Sequence, residues 1–74
     1  MPVHQIMDSS GHSEKAWEKS DVVSVAEAEK RFAELTGKGF IAFEPGPNGE
    51  PGRQMKSFDA AVEKTVFVPA LQGG

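Results

Sequence analysis

The spacing of apolar residues changes several times along the chain, and each change predicts a new element. The clearest stretch is "SDVVSVAEAEKRFAELTGKG", where Val25, Ala28, Phe32 and Leu35 recur at helical intervals and lay one apolar stripe on a helix. Two start signals compete. Asp21 can cap a helix that begins at Val22, while Ser24 with Glu27 three residues later spells a capping box. Gly37 or Gly39 ends the helix by taking the left-handed conformation. Glu27 with Arg31 and Glu34 with Lys38 place a carboxylate four residues before a cation, each pair worth roughly 0.2–0.5 kcal/mol.

Strand patterns flank this helix. Val3 to Met7 and Ser13 to Trp17 read as a hairpin joined by the turn residues Asp8-Ser9-Ser10-Gly11, with Trp17 packing at the sheet edge against the helix. Phe40 to Glu44 is a short, mostly apolar strand. "GPNGEPG" behind it is an exposed loop of glycines and prolines. In "RQMKSFD", Gln54 and Lys56 alternate with Met55 and Ser57, as in an edge strand wet on one side. Asp59 to Glu63 forms either a short helical turn or a plain connector. Lys64 to Pro69 is β-branched and aromatic, the composition of a buried strand.

The order is hairpin, helix, then two or three strands. One amphipathic helix covers one sheet face, and the chain is too short for a second helical layer. The last strand has the strongest strand composition and belongs in the middle, beside the first. The fold class expected is therefore α+β, a mixed sheet of four to five strands under one helix, with residues 1–69 as a single domain and 70–74 as a flexible tail.

Composition narrows the function. A chain of 74 residues holds one small core. It has no cysteine, which removes disulfides and cysteine-based zinc sites and fits a cytoplasmic protein. No stretch resembles a signal peptide or reaches membrane-spanning length, so no membrane partner is expected. A formal net charge of -3 offers no basic stripe for phosphates and argues against nucleic acid. His4, Asp8 and His12 lack a third strong ligand, so no metal is expected, and both histidines are read as solvent-exposed hairpin residues. Ser9, Ser10, His12 and Asp8 are close in sequence only, which does not make a hydrolytic triad. The glycine-rich loop lacks the Lys-Ser/Thr ending of a phosphate loop.

The remaining feature is the ending "TVFVPALQGG". Adjacent strand residues point to opposite faces, so one of Phe67 and Val68 lies away from the helix. With Pro69 and Leu71 that residue forms an apolar patch for a partner, a second core layer or a homodimer contact. The element order together with Phe67-Val68-Pro69-Ala70-Leu71-Gln72-Gly73-Gly74 resembles the ubiquitin-like β-grasp proteins, and among them the sulfur carriers: the molybdopterin synthase small subunit and the thiamine-pathway carrier. Pro69 matches a family proline, Ala70 stands where a second proline is common, and Leu71 takes the apolar position.

That resemblance implies a carrier or modifier, not an enzyme, with no cofactor of its own. Its partners would be an ATP-dependent adenylating enzyme and, for sulfur delivery, a synthase large subunit. Gly74 would be the reactive group, adenylated at its carboxylate and then thiocarboxylated or conjugated. Phe67, Val68, Pro69, Leu71 and Gly73 would meet the partner, with Gly73 free of the side chain that would block a narrow channel. The competing expectation is a structural or interaction protein of the same fold, such as a virion decoration protein or an adaptor.

Overall fold

The computed structural model describes residues 1–8, 11–46 and 52–70. Five strands and one helix follow in the order β1 (Val3–Asp8), β2 (Gly11–Ala16), α1 (Val22–Gly37), β3 (Phe40–Glu44), β4 (Arg53–Met55) and β5 (Lys64–Pro69). The strands form one sheet ordered β2-β1-β5-β3-β4. β1 and β5 run parallel, while the other neighbours are antiparallel. This is an α+β, ubiquitin-like arrangement, with the last strand beside the first at the centre.

The helix start is settled by hydrogen bonds. Asp21 sits in extended conformation and its Oδ1 accepts from the backbone N–H groups of Val23 and Ser24, at 3.1 and 3.4 Å. Ser24 is then free for a different task, and its Oγ accepts from the Glu18 N–H at 3.0 Å. At the other end Gly37 remains helical, and Gly39 takes the positive φ of 100° that turns the chain into β3. A second glycine is fixed by space: a Cβ on Gly52 would run into the backbone carbonyl of Glu44.

Ala28 and Phe32 on α1 are buried, and Leu35 packs at the margin. Phe32 and Leu35 meet Ala42, Met55 and Phe67 from the sheet and Val62 from the connector before β5. Burying a side chain the size of Phe stabilises by ~1.5–3 kcal/mol. The connector is a turn and not a helix. Asp59 Oδ1 accepts from the Ala61 N–H at 2.9 Å, and the Asp59 carbonyl accepts from the Val62 N–H at 3.2 Å. β4 is an edge strand but stops at Met55, so Lys56 and Ser57 lie beyond it.

Two expectations are corrected here. The intrahelical ion pairs do not form: Arg31 reaches instead toward His4, with Nη1 at 3.3 Å from Nδ1. Trp17 follows the edge strand β2 and is 2% exposed, with its ring against His4 and Phe58. His4 is not a solvated hairpin residue but fully buried. Strand alternation puts His4 and Ile6 on the helix side, and it leaves Val3, Gln5 and Met7 on the other.

Candidate functional site

The end of β5 is where the sequence places its chemistry. Phe67 and Val68 divide as alternation demands, and the structure decides which goes where. Phe67 is fully buried under α1, 5.5 Å centroid to centroid from Phe32, so it is corrected from partner contact to core. Val68 is half-buried on the opposite face, paired with Ile41 of β3. Pro69 is exposed and pairs with Phe40. Ala70 still donates its N–H to the Gly39 carbonyl at 3.1 Å, so the chain is held one residue past the strand. Leu71, Gly73 and Gly74 lie outside the described residues.

The sheet face away from the helix is open and partly apolar. The register sets Val66 beside Phe43 and Val68 beside Ile41. Met7 on β1 shares that face, since Val3, Gln5 and Met7 alternate away from His4 and Ile6. Ile41 and Met7 are 38% and 36% exposed. The cross-strand partners of Gln5 and Met7 on β2 are Glu14 and His12, which give the patch a polar margin on that side. An apolar sheet face with a polar margin is what a protein-docking surface requires.

The second notable cluster sits on the covered face. His4 lies within 4.5 Å of Trp17, 4.9 Å of Phe67, 6.0 Å of Phe58 and 6.4 Å of Phe32, measured between ring centroids. A guanidinium can only donate, so Arg31 donates to Nδ1 and the imidazole proton resides on Nε2. Nε2 has no hydrogen-bond partner, and neither has the buried Nε1 of Trp17. Burial first, and the Arg31 charge second, hold the pKa of His4 down to about 4, so the ring is neutral at pH 7. One signal in the chain points to this placement: His4 shares its strand parity with Ile6.

The two histidines of the hairpin do not meet. His4 and His12 are on opposite faces of the hairpin, because His4 pairs with Lys15 while His12 pairs with Met7. Among the described residues no three potential metal ligands cluster. A shallow depression of 270 Å³ along β4 is lined by Arg53, Gln54, Met55, Lys56, Ser57 and Asp59, and no histidine or cysteine joins it as base or nucleophile. No helix among the described residues is long and apolar enough to cross a membrane.

Compared with known proteins, the chain matches no family model, no curated protein and no solved structure.

Proposed function

We propose that this chain is a small carrier or modifier protein that is activated at the carboxylate of Gly74. The observation that carries the reading is the placement of Gly73-Gly74 a few residues after β5, the central strand of a ubiquitin-like sheet. A carboxylate is a poor electrophile. In the proposed step it attacks the α-phosphorus of ATP, pyrophosphate leaves, and an acyl-adenylate forms. A sulfur donor or an amine then displaces AMP to give a thiocarboxylate or an amide. From Ala70, the last residue held by the sheet, the four following residues span at most ~13–14 Å when extended, which suffices to enter a partner's cleft. The partner would be an ATP-dependent adenylating enzyme, joined by a synthase large subunit if sulfur is delivered, and it would act in the cytoplasm.

The test is ATP–pyrophosphate exchange with a candidate adenylating enzyme, beside thermal melts of each variant. Deleting Gly74 shortens the reach by ~3.3–3.6 Å, and adding one residue displaces the carboxylate by the same amount. Gly73→Val places a side chain where the backbone must pass. All three variants are expected to melt like the wild type and to lose exchange. Exchange that persists undiminished in the shortened or extended chain would sink the reading. Intact mass separates the fates, because a thiocarboxylate replaces one oxygen by sulfur and a modifier yields isopeptide adducts.

A second reading is favoured by the open sheet face. Ile41 and Met7 expose apolar surface whether or not the terminus reacts. A structural or adaptor protein would use that face alone, and its native form would carry no modification at Gly74.

A further inference from the structure

The fold converges on one imidazole. His4 belongs to β1, Trp17 follows β2, Arg31 and Phe32 come from α1, Phe58 from the segment after β4, and Phe67 from β5. The one polar contact suits a neutral ring. Arg31 needs a lone pair on Nδ1, and the four aromatic side chains supply no carboxylate.

The charged groups around the ring can be taken element by element. From α1 the facing group is Arg31. From β2 it is Lys15, directly opposite His4 on the same sheet face. From β5 the register partner is Thr65, which is uncharged and whose Oγ1 lies 3.5 Å from the Met55 sulfur. Beside Phe58 stands Asp59, exposed and accepting from the Ala61 N–H. One cation, Arg31, contacts the ring, a second, Lys15, is its register partner, and among the described residues no carboxylate contacts it.

We propose that His4 is an acid-sensitive latch, in which proton uptake at Nδ1 turns the Arg31 contact from a hydrogen bond into a repulsion and frees Trp17 and the β2 edge from the core. The proton comes from solvent. It takes the Nδ1 lone pair that Arg31 used, so two donors and two positive charges face each other across 3.3 Å. The imidazolium then needs water. Trp17 is the cover at the edge of the sheet: its N–H donates to the Pro2 carbonyl at 3.0 Å, and the side chains of the β2 strand before it are exposed along its whole length. β1 keeps its ladder with β5, so opening is confined to one edge of the sheet. The proposal stands independently of the carrier reading.

The experiment is urea unfolding followed by the emission of Trp17, the single tryptophan, at pH 7 and pH 5 for the wild type and His4→Phe. The pKa that is lowered in the fold to about 4 makes the wild type lose folding equilibrium constant by about 20-fold more than His4→Phe over this interval. Equal pH dependence in the two proteins would overturn the latch. Arg31→Met, which alters a half-buried position, serves if His4→Phe does not fold. It should weaken the pH dependence relative to wild type, and an unchanged dependence again overturns the proposal. Amide protection factors at pH 5 locate the opening. Loss confined to Trp17 and β2, with the β3–β5 ladder still protected, is the expected result, whereas uniform loss would show global unfolding and refute a latch.

Discussion

The two faces of this sheet use the same strands and reach opposite solutions. The covered face is aromatic: the imidazole of His4 packs with Trp17, Phe32, Phe58 and Phe67, and Phe32 with Phe58 and Phe67, ring against ring. The open face is aliphatic for the most part, with Val66, Val68, Ile41 and Met7 around a single Phe43. Large rings let a domain of this size fill one core from few positions, since each buries far more area than an aliphatic side chain. The open face contributes little to that core. Its residues are at most half-buried.

That contrast can be broken most forcefully from the covered side. Phe32→Ala should cost ~3–5 kcal/mol, as buried Phe-to-Ala changes do, and leave so small a domain mostly unfolded in equilibrium denaturation. A melt that did not move would mean that the ring cluster is not the core. Acid is the next lever. A histidine whose folded pKa is lowered contributes its full stability above the unfolded value near 6.5. That contribution falls as pH drops below 6.5 and is spent below about 4, a loss of about 3 kcal/mol in urea midpoints extrapolated to water. The opposite sign, stability rising toward pH 4 relative to His4→Phe, would contradict a neutral buried ring.

Smaller effects sharpen the picture. Asp21→Ala removes the acceptor for two helix N–H groups and should cost about 1 kcal/mol, whereas Glu27→Ala, which has no such bond, should be nearly silent. Equal costs for the two would revive the alternative start at Ser24. Smallest in stability is Ile41→Ser on the open face, expected within about 1 kcal/mol because it loses only cross-strand contact with Val68. The same change should raise the KM for this protein in an adenylating-enzyme exchange assay. If exchange kinetics stayed constant while the melt fell steeply, the open face would be core and not a docking surface.

What could be read from the chain follows the strength of local signals. The helix was legible because Val25, Ala28, Phe32 and Leu35 repeat over three turns, and the central place of β5 followed from its β-branched run. The competition between Asp21 and Ser24 was not decidable, since both satisfy local rules and only the position of Glu18 shows what Ser24 does instead. His4 escaped for a different reason. Its burial depends on rings at positions 17, 32, 58 and 67, contributed by four separate parts of the chain, and strand alternation around a lone histidine does not say which parity faces inward. Of the candidate site, the division between Phe67 and Val68 was foreseen as a choice but not its outcome, which awaited the register with β3. The terminal glycines lie outside the described residues, so their role rests on sequence and on the proposed assay.

The parallel pairing of β1 with β5 joins residues about 60 positions apart, and this governs when the protein can exist at all. During synthesis the β1–β2 hairpin and α1 emerge early, but no sheet can close over them until the residues of β5 have been made. Until then the helix stripe and the inner face of β1 remain wet, a state prone to wrong association. Release of the last strand thus acts as a clock for assembly.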